Sequence, residues 1–169
     1  GGDCAVILAL AIGKNTWLKM LDLSSCRLKR KGTAAITEAL GANTTLTALD
    51  LSGNGLRTAL RGVSTESIQL IAACTSHPAL TELALDYNGL DAGDVPAIGR
   101  LLDAGRIRML SLRGNRLFGR TEQLGVGPVT PSSSAAIVEG GVQAFVDALA
   151  GDGTPLDAVV DIRHLHVPL

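Results

Sequence analysis

Leucine returns along this chain at fixed intervals. The phrase Leu18-x-x-Leu21-x-Leu23-x-x-Cys26-x-Leu28 recurs as Leu46-x-x-Leu49-x-Leu51-x-x-Asn54-x-Leu56, as Leu80-x-x-Leu83-x-Leu85-x-x-Asn88-x-Leu90, and as Ile107-x-x-Leu110-x-Leu112-x-x-Asn115-x-Leu117. Self-similarity with a period of a few tens of residues marks one small unit stacked on copies of itself. Within each phrase apolar and polar residues alternate, which predicts a short strand. Leu21 and Leu23 then face a core, and Met20, Asp22 and Ser24 face away from it. Between the phrases lie runs with helical spacing, such as 32–44 and 65–74.

The phrases resemble those of the leucine-rich-repeat family, whose strand-and-turn segment reads Leu-x-x-Leu-x-Leu-x-x-Asn/Cys-x-Leu. The likeness covers nearly the whole chain apart from one insertion. Starts at 18 and 46 are 28 residues apart, and the helical second halves suit the long, ribonuclease-inhibitor-like subtype. The resemblance implies an α/β leucine-rich-repeat solenoid, a horseshoe segment with parallel strands on the concave face and helices on the convex face. It also assigns the ninth position of each phrase to a buried ladder, in which Asn54, Asn88 and Asn115 satisfy backbone groups of neighbouring turns. Cys26 takes the first rung, a substitution that the family pattern allows, and both Cys26 and Cys74 read as buried, unreactive thiols.

Later starts at 80, 107 and, in decayed form, 157 are separated from their predecessors by 34, 27 and 50 residues. The extra residues of the first long unit fall near Arg57–Gly62. Those of the second fall in 119–141, which is rich in Gly, Pro, Ser and Thr and reads as a loop insertion. After it, 142–149 reads as a resumed helix and 157–167 as a fifth phrase, with Val160 and Ile162 at strand positions and Leu165 where the ladder residue belongs. At the other end, Leu8–Ile12 followed by Gly13-Lys-Asn-Thr16 matches Ile36–Leu40 followed by Gly41-Ala-Asn-Thr44. The chain is therefore expected to open inside a repeat's helix, within a longer protein, and residues 1–169 to form a single domain.

Composition narrows the function more than the fold. The chain of 169 residues is 46% hydrophobic but 2% aromatic, so its core must be layered aliphatic side chains. A net charge of −1, from 15 basic and 16 acidic residues, gives no footprint for nucleic acid. The apolar run Cys4–Ile12 is too short for a membrane span, which needs about 20 residues. Three widely spaced cysteines fit reduced thiols, hence a cytoplasmic setting, with membership of a cytoskeletal or other large assembly as one form of it.

Searching for chemistry returns little. No phosphate-binding loop, dinucleotide fingerprint, nucleophile elbow or zinc-protease motif is present, and neither a cofactor nor a small-molecule substrate is implied. His164-Leu-His166 could place two imidazoles on one face but lacks a third ligand, and reads as surface histidines. His77 reads as structural or exposed. The basic run Arg27 to Lys31 reads as a solvated loop ahead of a helix.

A partner would meet the outward strand residues. These form columns: Met20, Ala48, Glu82 and Met109; Asp22, Asp50, Ala84 and Ser111; Ser24, Ser52, Asp86 and Arg113; and Ser25, Gly53, Tyr87 and Gly114. Anchoring features gather around Glu82, Asp86, Tyr87, Met109 and Arg113, with Tyr87 foremost because outward aromatics dominate binding energy. Asp86 and Arg113, adjacent in one column, could instead pair with each other. The face projects to roughly 300 Å², well under the roughly 800 Å² per partner of a stable interface, so flanking loops, the insertion or further repeats beyond these residues are expected to take part. The expected role is that of a non-enzymatic protein-interaction scaffold within an assembly. The alternative from a different class is a GTPase-activating protein of the Ran type, drawing on Arg57, Arg61, Arg116 or Arg120.

Overall fold

The computed structural model describes residues 2–57, 65–117 and 159–161. In chain order the elements are α1 (Gly2–Lys14), β1 (Met20–Asp22), α2 (Lys29–Ala42), β2 (Ala48–Asp50), α3 (Thr65–Ser76), β3 (Glu82–Ala84), α4 (Val95–Asp103), β4 (Met109–Ser111) and β5 (Val159–Asp161). The strands pair in parallel in that same order, β1 to β5. Their register superimposes the phrases: Leu21, Leu49, Leu83, Leu110 and Val160 stand side by side. The decayed fifth phrase thus supplies a strand with Val160 where expected, while Ile162, Leu165, the insertion at 119–141 and the histidines at 164 and 166 lie outside the described residues.

Leucine at the inward positions forms a continuous core. Leu46, Leu51, Leu80, Leu85, Leu110, Leu112 and Leu117 are buried completely, and Leu49 and Leu83 nearly so. The helices close that core with small or branched residues: Gly32, Ile36, Ala39 and Leu40 on α2, Leu70, Ile71 and Cys74 on α3, and Val95, Ile98, Leu101 and Leu102 on α4. Burying each large aliphatic side chain contributes about 1.5–3 kcal/mol, so the repeat makes one cooperative stack from units that could not fold singly.

Two edges of the stack differ from expectation. α2 begins at Lys29, so the last residues of the basic run form the helix's first turn and are not loop. Cations are unfavourable at a helix N-terminus. Here Arg30 is offset by Glu66 of α3, with Nε and Oε1 2.6 Å apart. At the sheet's first edge, Leu18 keeps 36% of its surface exposed although its counterparts Leu46 and Leu80 keep none, and Trp17 is 86% exposed.

The asparagine ladder satisfies the turns beyond the strands. Asn54 donates through Nδ2 to the carbonyls of Leu23 and Leu51, and accepts from the Leu28 amide at 3.3 Å. Asn88 accepts from the Asn54 amide at 2.9 Å, and Asn115 from the amides of Asn88 and Leu90. Cys26 departs from the expectation of a buried rung: its thiol is exposed. It lies in the turn beyond β1, the edge strand of the described sheet, where no neighbouring turn covers it, and it adopts the role of no asparagine in the series.

A second ladder runs through the helix-to-strand turns. The Asn15 side-chain oxygen accepts from the amides of Trp17 and Leu18, and that of Asn43 from Thr45 and Leu46. His77 takes the same place in the next unit, its Nδ1 accepting from Ala79 and Leu80 at 3.3 and 3.1 Å. His77 is buried and structural, and burial lowers its affinity for a proton below the ordinary histidine value, with the Asn43 backbone opposing more weakly. Protonating Nδ1 would also remove the acceptor that both amides need. The unfolded chain therefore takes up a proton that the folded chain excludes, and stability should fall as pH drops through about 6.5. His77→Asn keeps the acceptor without titrating. Its melting temperature, followed from pH 7.5 to 5, should decline less steeply than that of the wild type, and parallel curves would refute this role.

Candidate functional site

The outer face of the sheet is where side chains stand free of the fold's own needs. β1 to β4 floor a shallow groove of about 430 Å³ whose lining includes Met20, Asp22, Asp50, Glu82, Met109 and Ser111. Alternation in the strands puts these residues outward, opposite the buried leucines. Met20 and Met109 are 70% and 52% exposed. Glu82 and Met109 are direct register partners, as are Asp22 and Asp50. The Asp22 carboxylate accepts from the Ser24 amide at 2.8 Å, and the backbone and hydroxyl of Ser24 hold its carboxyl below the ordinary value. The Asp50 carboxylate accepts in the same way from Ser52.

Of the residues singled out from sequence, Glu82, Asp86, Tyr87, Met109 and Arg113 all lie on β3, β4 or the turns directly beyond them. Asp86 does not pair with the Arg113 guanidinium. Its Oδ1 instead accepts from the Arg113 amide at 2.8 Å and from Ser111 Oγ at 2.6 Å. Asp86 is thus a turn-fixing residue that leaves the Arg113 side chain to other uses, and Arg113 Nε is buried without a hydrogen-bond partner.

Tyr87 is held by an unusual backbone. Its φ is +52°, and the aligned positions Ser25, Gly53 and Gly114 have φ of +54°, +67° and +65°. Every described phrase therefore turns left-handed at this position, and glycine does so freely while tyrosine pays roughly 1–2 kcal/mol. The Tyr87 ring lies against Gly114, where an added Cβ would fall 2.2 Å from the ring carbons. The ring is fixed from below yet remains 59% exposed. Alternation from the buried Leu83 and Leu85 would turn Tyr87 inward, and it is exposed because it lies in the turn beyond β3; the alignment with Gly53 and Gly114 carries the signal of its strain. The register pair Asp22 and Asp50 and the exposed Trp17 are likewise absent from the cluster singled out by sequence.

Groups suited to other chemistry are committed elsewhere. Arg57 is held by Asp91, Nη2 to Oδ2 2.6 Å, and by the buried Asp94, Nη1 to Oδ2 3.4 Å. Arg116 is exposed on the turn after β4, and Arg61 and Arg120 lie outside the described residues. Cys74 is buried in the helix layer, which pushes its thiol up to about 12. Among the described residues no His, Cys, Asp and Glu cluster could hold a metal, and no helix is long and apolar enough to cross a membrane.

Comparison with known proteins agrees with this architecture. The family model described as Leucine Rich repeat matches residues 14–36 and 42–58. No curated protein matches the chain at a significant level. Among solved structures, the chain is similar to "Leiomodin-1 Actin-Binding Site 2 (ABS2)", with a TM-score of 0.56 at 18% identity over 89% of this chain and 75% of that one. At such identity the likeness speaks to fold alone. With its strand phrase repeated in register and its asparagine ladder, this chain has the fold of a leucine-rich-repeat solenoid, and the family model matches its first two phrases.

Proposed function

We propose that this chain is a non-enzymatic protein-interaction scaffold that binds a protein partner across the outer face of β1 to β4, with Glu82, Asp86, Tyr87, Met109 and Arg113 as the contact cluster. The observation that carries this reading is the set of large exposed side chains on a rigid sheet and the turn directly beyond it: Met20, Tyr87 and Met109 are 70%, 59% and 52% exposed. Such side chains, preorganised on strands, lose little entropy on binding. Helices of 14, 12 and 9 residues between successive strands support the ribonuclease-inhibitor-like subtype.

Because the groove is small, a partner also engages the flanks of the stack, which fits a subunit of a larger intracellular assembly. The structural neighbour is an actin-binding site, so actin is the first partner to test. Actin monomers and filaments should bind the full chain, and Tyr87→Ala or Met109→Ala should weaken binding about tenfold or more, the range of a single anchor residue. Sedimentation with filaments and anisotropy with labelled monomers measure this. Actin binding that neither substitution alters would move the site away from the strand face.

A further inference from the structure

We propose that the groove takes a basic segment of its partner, with Lys or Arg side chains set against Asp22, Asp50 and Glu82 and the segment continuing past the strand ends to the ring of Tyr87. This rests on the strand-face reading above and adds the chemistry of what binds there.

The first argument is charge. Asp22 and Asp50 are register partners on neighbouring strands, about 4.8 Å apart, and like charges side by side destabilise a sheet. Each carboxylate has one oxygen on a serine amide. The ion pairs among the described residues join Arg30 to Glu66 and Arg57 to Asp91 and Asp94, so none relieves this repulsion. Three carboxylates and no base line the groove. Lys19 and Arg108, one residue ahead of β1 and β4, are exposed but do not line it. The chain as a whole is nearly balanced at −1, so this acidity is local and calls for a cation from outside.

The second argument is shape and lining. Met20, Ala48, Ala84 and Met109 give the groove an apolar floor between its carboxylates. A long side chain with an aliphatic stem and a cationic head satisfies both.

The third is independent of charge. Tyr87 occupies a left-handed position that glycine fills in the phrases on either side, and its ring is seated on Gly114 and exposed. A strained, solvent-facing aromatic contributes nothing to the core, and the inference from such a backbone outlier runs to function. At the strand ends beyond the groove, an exposed aromatic face gives a guanidinium or ammonium of the same segment a cation–π contact.

The test titrates the full chain against three fluorescent 14-residue peptides that share one apolar pattern and carry Lys, Gln or Glu at the remaining positions. The Lys peptide should bind at least tenfold more tightly than the other two, and its affinity should fall with added salt. It should lose at least tenfold in the double variant Asp50→Asn, Glu82→Gln. Tyr87→Gly should bind it about tenfold more weakly while melting at a higher temperature than the wild type, which separates lost contact from lost folding. Equal binding of the Gln or Glu peptide, or Lys-peptide binding unchanged in both variants, overturns the proposal. If actin binding is lost in Met109→Ala yet survives in the charge double variant, the strand-face reading stands and the basic segment falls. If Lys-peptide binding is untouched by Met109→Ala and by Tyr87→Gly, both fall.

Discussion

Asn115→Ala should remove on the order of 3–5 kcal/mol of stability, among the largest effects that a single substitution produces. Four buried backbone groups depend on this one side chain. Its Nδ2 donates to the carbonyls of Leu85 and Leu112, each at 2.9 Å, and its Oδ1 accepts from Asn88 and Leu90 at 3.1 and 3.0 Å. Alanine leaves all four without water or a partner, at about 1–3 kcal/mol for each group that cannot relax. Total stability of a domain is about 5–15 kcal/mol, so the variant should be largely unfolded near 37 °C. Cys26→Ser, at the aligned but exposed position of the first phrase, should be close to neutral. Urea denaturation of both variants measures this contrast, and an Asn115→Ala midpoint close to that of the wild type would refute the ladder's importance.

That contrast also marks how far the sequence can be read. Alternating leucines make the strands legible, because a leucine at every second position packs on one side only when the backbone is extended. Asn54, Asn88 and Asn115 are legible as a ladder for a related reason, since a polar residue recurring beside a core position must satisfy buried polar groups. Cys26 shares the pattern without the environment, because pattern does not reveal which strand lies at an edge. The second ladder is half visible in the repeated Asn-Thr of 15–16 and 43–44, and then hidden where histidine supplies the same acceptor at 77. The start of α2 cannot be read locally at all. Three cations open that helix against the macrodipole, and part of the compensation is Glu66, which is distant in sequence.

The site divides along the same line. Outward placement of Glu82 and Met109 follows from alternation alone, whereas Tyr87 shares the spacing of the buried Leu83 and Leu85 and is exposed because the chain has already left the strand. The state of Asp86 and Arg113 does not, because an adjacent acid and base can meet through side chains or, as here, through a carboxylate and a backbone amide. The strain at Tyr87 requires both the alignment with glycines and the backbone angle. Residues retained against local preference, such as this one, are where function is expected to override folding rules.

Asp94→Ala should be the second most damaging change outside the apolar core, at about 3 kcal/mol, as is usual when one partner of a buried ion pair is removed. Asp94 is fully buried, and its carboxylate accepts from Ser67 Oγ at 2.6 Å, from the Asp91 amide at 3.0 Å and from Arg57 Nη1 at 3.4 Å. One side chain thereby ties α3, the turn after β2 and the start of α4 together, in the unit whose 34-residue spacing is irregular. Asp94→Asn is the instructive comparison, since a carbonyl at the Oδ2 position can still accept from the Asp91 amide while the new NH2 donates to Ser67 Oγ, and the cost of a buried charge disappears. We expect it to lie within about 1 kcal/mol of the wild type, because a buried ion pair offsets much of its own desolvation. The pH dependence separates the two contributions. Burial raises the Asp94 carboxyl above its ordinary value, outweighing Ser67, the Asp91 amide and Arg57, which lower it. The folded chain then holds a proton that the unfolded chain has lost. The wild type should therefore gain stability relative to Asp94→Asn as pH falls from 7 through the raised value towards about 4. Chemical denaturation of both proteins across that range measures the difference, and a constant gap between them would show that Asp94 titrates no differently in the folded and unfolded chains.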